Sequence, residues 1–313
     1  MFDSTRRLLM LAVVAGLAAC GGSDEITLDP PQNIVQVAQT DSRFTVLAEA
    51  VVAADLASAL SAPGPLTVFA PTNDAFSALL TELGLSKTQL LANKSLLTAV
   101  LQYHVLGSRV VRADVPLGRA ITPLAGGLFK MESSAAGLVI TDGRNRRANI
   151  TATDIRASNG VIHVIDKVLL PANRNIVETA IAASPEFSIL VEAVVAANLQ
   201  GTLSGTGPFT VFAPTNAAFG ALLTELGVSK QALLADTALL TRVLTYHVLP
   251  SRVLKAEVPV GTAITTVQGG RFTVGSTLAI TDARGRTSNI TATDVLTSNG
   301  VIHAIDKVLL PAP

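Results

Sequence analysis

The chain has 313 residues with 23 Lys plus Arg against 23 Asp plus Glu, a formal net charge of zero, so no sequence-wide field recruits nucleic acid or an acidic surface. Trp is absent and aromatics make up 4% of residues, which removes the base-stacking platform that single-strand binders use. One cysteine, Cys20, excludes an intrachain disulfide and a zinc site built on cysteine ligands. The length suggests about two domains of ordinary size, each able to bury its own core.

The first seven residues carry Arg6 and Arg7, residues 8–17 form a short apolar run, and small residues lead to Cys20. That order predicts an export signal over residues 1–19. The run is too short to span a bilayer, which takes about 20 apolar residues. Leu17-Ala18-Ala19-Cys20 resembles the lipobox of bacterial lipoproteins, and the resemblance implies that Cys20 is lipidated and becomes the first mature residue. Gly21 rather than Asp follows the cysteine, which implies the outer membrane in a double-membrane cell. Residues 20–32 then comprise the lipidated cysteine and a polar tether with Pro30-Pro31. Extended, the tether reaches roughly 40 Å at about 3.3 Å per residue.

An internal repeat organises the rest. Val68-Phe69-Ala70-Pro71-Thr72-Asn73 recurs as Val211-Phe212-Ala213-Pro214-Thr215-Asn216, Tyr103-His104-Val105-Leu106 as Tyr246-His247-Val248-Leu249, and Asn159-Gly160-Val161-Ile162-His163 as Asn299-Gly300-Val301-Ile302-His303. The offset is 143 residues from Pro71 to Pro214 and 140 from His163 to His303, so the first copy carries three extra residues. They fall between the Gly-Gly pairs at Gly126 and Gly269 and the strands starting near Leu138 and Leu278, where a hairpin loop tolerates insertion. Such a period exceeds the roughly 20–50 residues of a solenoid unit. It predicts two globular domains, residues 33–172 and 173–313, whose short link through Pro171 to Arg174 keeps them in contact.

Within the first copy, residues 33–60 place Val46, Leu47, Ala50 and Val51 at helical spacing. Residues 66–69 read as a short strand ended by Pro71. Thr72 or Asn73 then caps a helix carrying Ala75, Phe76, Leu79, Leu80 and Leu83, which Gly84 stops. Ser86 with Gln89 forms a capping box for the next helix, and Leu96, Leu97, Val100 and Leu101 continue the helical spacing. After His104 the pattern turns to strands: residues 138–141 and 149–153 flank a turn with Asp142-Gly143, and residues 161–170 read as one long strand ended by Pro171. Helices first and strands later predict an α+β fold.

The ordered blocks Phe69-Ala70-Pro71-Thr72-Asn73 with Ala75-Phe76, Tyr103-His104, and Asn159-Gly160-Val161-Ile162-His163 through Pro171, each found twice, resemble the fasciclin (FAS1) domain. The resemblance covers residues 33–171 and 175–311. It implies a β-sandwich or wedge decorated by helices, and adhesion or matrix-binding roles in extracellular proteins.

All four histidines, His104, His163, His247 and His303, lie in repeated motifs, which invites a metal or acid–base site. Their apolar surroundings favour buried rings satisfied by hydrogen bonds, with Tyr103 and Tyr246 as partners in a fold-stabilising motif. Asp166 sits three positions from His163, an odd spacing that sends the two to opposite faces of a strand. Neither a Gly-x-Ser-x-Gly elbow nor a Ser-x-x-Lys occurs, so no catalytic residue, metal ligand or cofactor is expected.

Two surface features remain. The turns after Asp142 and Asp282 carry Arg144, Arg146 and Arg147, and Arg284 and Arg286. They could grip anionic polysaccharide or form a solvated hairpin tip. Asp154-Ile155, with Asp294-Val295 in the second copy where Val replaces Ile, resembles an Asp-Ile pair proposed as a ligand contact in animal members of the family, and a turn aspartate capping backbone amides is the alternative. The expectation is a non-enzymatic, lipid-anchored envelope protein that meets an envelope or extracellular protein or polysaccharide, not nucleic acid. The alternative is a periplasmic small-molecule or metal-binding module. Cys20→Ser should release the protein from membranes, because several acyl chains anchor stably where one does not. Retention of the variant on membranes after a salt and carbonate wash would place the anchor elsewhere.

Overall fold

The computed structural model describes residues 31–313. The expected export signal, Cys20 and the tether up to residue 30 lie outside the described residues. Helix α1 (Ile34–Thr40) starts at a capping box: the Asn33 side chain accepts from the Gln36 amide at 2.9 Å, and the Gln36 side chain accepts from the Asn33 amide at 2.8 Å. The helical stretch expected over residues 33–60 is not continuous. Asp41 takes up the Arg43 amide at 2.9 Å, so its carboxylate bonds locally and the helix ends there. A 3-10 turn (Ser42–Phe44), α2 (Thr45–Ala53) and α3 (Ala57–Ser61) follow.

Strand β1 (Leu66–Pro71) leads into α4 (Asn73–Leu83), capped by the Thr72 hydroxyl and closed by Gly84 at φ 64°. Asn73 is thereby free to bind elsewhere: it accepts from the Val46 amide at 3.0 Å and donates to the Ser42 carbonyl at 2.9 Å, tying α4 to α2. The Ser86–Gln89 capping box opens α5 (Lys87–Ala92), and Asn93 caps α6 (Lys94–Tyr103).

The sheet adds β2 (Val105–Leu106), β3 (Ala120–Ile121), β4 (Phe129–Ser134), β5 (Gly137–Thr141), β6 (Arg147–Ala157) and β7 (Gly160–Ile165). Its order is β2-β1-β7-β6-β5-β4-β3, with β1 and β7 parallel and Val68 opposite Ile162. Both of those strands are buried on both faces, as an apolar run requires. Val68, Ala70, Ile162 and Val164 face the helices, and Phe69 and Ile165 face a second core with Tyr103, Phe129, Met131 and Ile140. Phe69 meets Phe129 edge-on at 5.3 Å. The 11-residue β6 pairs with β5 at its start and β7 at its end, and a register shift between Ala152 and Ile155 bends it. Asp154, at φ 61°, sits in that bulge. The bend folds the two halves of the sheet around the second core as a wedge.

Strand β7 is shorter than the run over residues 161–170 suggests. Asp166 turns the chain by accepting from the Asn149 amide at 2.7 Å and its side chain at 2.6 Å. Residues 168–170 continue as buried coil, with the Leu169 and Leu170 amides satisfied by side chains instead of a ladder.

The second domain repeats the scheme with α7 (Ile176–Ala182), α8 (Ser188–Ala196), α9 (Gln200–Leu203), α10 (Asn216–Leu226), α11 (Lys230–Ala235) and α12 (Thr237–Tyr246). Its strands are β8 (Phe209–Pro214), β9 (Val248–Leu249), β10 (Ala263–Thr265), β11 (Arg271–Val274), β12 (Ala279–Thr281), β13 (Thr287–Thr297) and β14 (Gly300–Ile305). The sheet order is β9-β8-β14-β13-β12-β11-β10. The extra residues of the first copy lengthen one hairpin: β4 and β5 pair from Lys130–Thr141 out to Ser134–Gly137, whereas β11 and β12 pair only at Thr273–Thr281 and Val274–Ile280.

Residues Gln32–Pro313 form one compact unit, and the two domains meet through different faces. Leu128 of the first packs with Leu254, Leu296 and Val301 of the second, flanked by Ala120. Lys130 Nζ lies 2.9 Å from Asp294 Oδ2, with side chains only 8% and 2% exposed, and also bonds Glu132 at 2.9 Å. Asn145 mimics a strand partner: its amide nitrogen donates to the Leu296 carbonyl at 3.0 Å, and its oxygen accepts from the Leu296 amide at 2.7 Å. Burial pulls the Lys130 ammonium down, but the bonds to Asp294 and Glu132 outweigh it and hold it above the ordinary lysine range.

Breaking one side of a buried pair typically costs about 3–5 kcal/mol, because the other charge is left buried. Lys130→Met should therefore destabilise the domain contact, and adding Asp294→Asn should recover much of the loss. Differential scanning calorimetry should show one transition for the wild type, two for Lys130→Met, and a return toward one for the double variant.

Candidate functional site

The repeated histidines are the first place to look for chemistry, and both nitrogens of each ring are engaged with backbone. His104 Nδ1 donates to the Val100 carbonyl at 2.7 Å, and its Nε2 accepts from the Leu169 amide at 2.8 Å. His247 repeats this with Val243 at 2.8 Å and Leu309 at 2.9 Å. His163 Nε2 donates to the Val110 carbonyl at 2.8 Å and its Nδ1 accepts from the Asp154 amide at 3.3 Å. His303 matches it with Val253 at 2.9 Å and Asp294 at 3.2 Å. Each ring thus bridges two chain segments, with both nitrogens taken by backbone groups and none left free for a metal. Among the described residues, no group of three His, Cys, Asp or Glu is placed to hold an ion.

Tyr103 and Tyr246 are buried beside them. The Tyr103 hydroxyl donates to the Leu128 carbonyl. That of Tyr246 donates to the Arg271 carbonyl at 2.6 Å and accepts from the Ala283 amide at 3.0 Å. Burial, reinforced by the carboxylate of Asp142, pushes the Tyr103 phenol up, so it remains a neutral donor.

The two Asp-Ile-type pairs have different fates. Asp154 is half-buried and accepts from the Arg112 amide at 2.9 Å, and Ile155 packs against the helical core. Asp294 also caps a backbone amide, that of Lys255 at 2.7 Å, but its second oxygen is taken by Lys130. Val295 packs on the second helical core. The expectation of Asp294 and Val295 as a ligand contact is therefore corrected: the domain interface covers the carboxylate.

The arginines of the two turns divide between the framework and the surface. Asp142 is buried and accepts from the Arg144 and Arg146 amides, each at 2.9 Å, and from the Leu170 amide at 3.0 Å. Arg146 returns to the same carboxylate at 3.0 and 2.8 Å, and reaches Glu82 at 2.6 Å and the Val168 carbonyl at 2.6 Å. Arg286 likewise binds Glu225 at 2.7 Å and the Val308 carbonyl at 3.2 Å, beside Asp282. Arg146 and Arg286 are framework cross-links, neither solvated tips nor free cations. Arg284 donates to the Pro311 carbonyl at 3.0 Å with the rest of its head exposed, and Arg147 is exposed. Arg144 is half-buried, and its Nε has no partner. The aspartate at the centre of each turn is the residue that sequence reasoning missed. Its signal was the repeated spacing of Asp142 to Arg146 and Asp282 to Arg286.

The fasciclin domain family matches residues 42–171 and again residues 185–311, two copies over most of the chain. The chain belongs to the fasciclin domain family. It consists of two tandem FAS1 domains of mixed α+β content. It is 32% identical over 253 residues to the transforming growth factor-beta-induced protein ig-h3 of Sus scrofa, a match covering 80% of this chain and 35% of that protein. It is also 44% identical over 146 residues to protein sll1483 of Synechocystis, covering 46% of this chain and 76% of that one. A solved FAS1 domain pair from the insect cell adhesion molecule fasciclin I covers 88% of this chain and 95% of its own, at 17% identity and a TM-score of 0.42. The chain spans about a third of the length of ig-h3.

The buried rings make the FAS1 fold acid-sensitive. Burial lowers His104 and His247 from 6.5 to about 4. Above 6.5 neither folded nor unfolded chain holds the proton. Below it the unfolded chain takes one up first, so stability falls with pH until the folded value is reached. The loss amounts to roughly 3 kcal/mol per histidine. Urea midpoints should drop between about pH 7 and about pH 4.5, and His104→Gln should lower stability at neutral pH while flattening that dependence.

Proposed function

We propose that this protein is a non-enzymatic cell-envelope adhesion or matrix-interaction protein, anchored through Cys20, that presents two FAS1 domains as one unit to an extracellular protein or polysaccharide. One observation carries the reading. The polar groups repeated in both domains, the four histidines, Tyr103 and Tyr246, Asp142 and Asp282, and Arg146 and Arg286, are all bonded within the scaffold. Function is then left to the outer surface, where Asp154, Arg147 and Arg284 stand with solvent access. Membership of the fasciclin family supports the same direction. Two domains within one compact unit suit a polymer, since a second weak contact raises avidity without strengthening either.

The test is attachment. Deleting the protein should reduce cell aggregation or surface attachment, and the wild-type chain should restore it where Cys20→Ser does not. The soluble chain should also be retained on envelope protein or polysaccharide more weakly as salt rises. Normal attachment of the deletion strain, together with no retention on any fraction, would overturn the reading.

A further inference from the structure

The two turns of identical plan differ at one point. In the second domain Arg284 Nε donates to the Pro311 carbonyl. In the first, the matching carbonyl belongs to Pro171, yet Arg144 does not use it and its Nε is buried without a partner. Beside the turn, the second domain and the link border an open-sided polar crevice of about 290 Å³, walled by Arg144, Arg146, Arg174, Glu82, Asn173 and Thr179. Three arginines line this space, with the carboxylates of Glu82 and Asp142 near them. Glu82 is held by Arg146, and Asp142 is filled by Arg146 and three backbone amides. Arg144 and Arg174 make no ion pair among the described residues, so the crevice carries uncompensated positive charge. Burial, and then the neighbouring Arg146, pull the Arg144 guanidinium below its ordinary range; Asp142 and Glu82 oppose this only in part, and Arg174 adds to the repulsion. A bound anion would relieve that strain.

We propose that this crevice between the FAS1 domains binds the carboxylate of an acidic sugar, with Arg144 and Arg174 as its ligands. A guanidinium with a free edge matches a carboxylate through two parallel bonds. On the same measure one water needs roughly 10–15 Å³, so the crevice has room for a sugar ring and exceeds a bare anion. Neutral partners are present for the ring hydroxyls: the Asn173 amide is exposed, and the Thr179 hydroxyl donates to the Asn175 carbonyl and can still accept. The site is single, because the matching turn of the second domain has Gly285 where Asn145 bridges to Leu296, and Arg284 is already bonded. The inference deepens the adhesion reading, and rests on it only for the claim that the sugar is part of a matrix polymer.

The experiment is calorimetric titration of the whole chain with galacturonate, its neutral counterpart galactose, and sulfate. Galacturonate should bind once per chain, galactose should give no heat, and sulfate should bind more weakly than galacturonate. Arg144→Gln and Arg174→Gln should each weaken galacturonate binding by about tenfold or more, the usual value of a charged hydrogen bond. Arg284→Gln should leave it unchanged. No galacturonate binding, two sites per chain, or equal loss in Arg284→Gln would overturn the proposal, and sulfate binding as tightly as galacturonate would overturn its sugar half. A deletion strain that attaches normally would sink the adhesion reading while leaving this titration untouched.

Discussion

Each domain turns on one buried carboxylate. Asp142 joins three segments distant in sequence: its own hairpin turn through two amides, the coil after β7 through the Leu170 amide, and α4 through Arg146 and Glu82. A buried carboxylate is costly unless charge-assisted bonds fill its lone pairs, and here a guanidinium and three amides do so. The neighbouring amide, Leu169, goes to His104. Two successive amides of a buried, non-ladder segment are thus satisfied by side chains of the same local system. That allows an apolar chain to leave the sheet after Ile165 and still run through the interior. Asp282 and His247 do the same for Leu310 and Leu309.

This explains what could be read from the sequence and what could not. Local devices were legible: Thr72, Gly84 and the Ser86–Gln89 box bound their helices where expected, because a cap is decided within three or four residues. The duplication and the α+β class followed from motif order alone. The long strand over residues 161–170 was misread because hydrophobicity reports burial, and the partners that end the ladder, Asn149, His104 and Asp142, lie far away in sequence. The candidate site divides in the same way. Apolar flanks pointed to satisfied rings for His104 and His247. Nothing local distinguished Asp294 from Asp154, since their difference comes from Lys130, 164 residues from Asp294.

Duplication supplied two copies of one scaffold, and a few substitutions made their faces unlike. Where the first domain has Leu128, Lys130 and Asn145 at the contact, the second has Arg271, Thr273 and Gly285. Where the second has Leu296, the first has Arg156. The contact is heterologous, since one face of the first domain meets a different face of the second. Contacts of that kind extend into open chains when both faces recur on every unit. Here they do not recur. Another domain docking in the same manner would bury Arg156 or Arg271 against leucine, with the desolvation cost of an unpaired cation. The same divergence makes the crevice: Asn145 holds Leu296 in place, the link passes beside Arg144, and a turn that is ordinary in one copy becomes one wall of an open-sided, positively charged crevice in the other. The framework carboxylate recurs in both domains and takes up the same three amides, so the functional difference rests on side chains that the framework does not use.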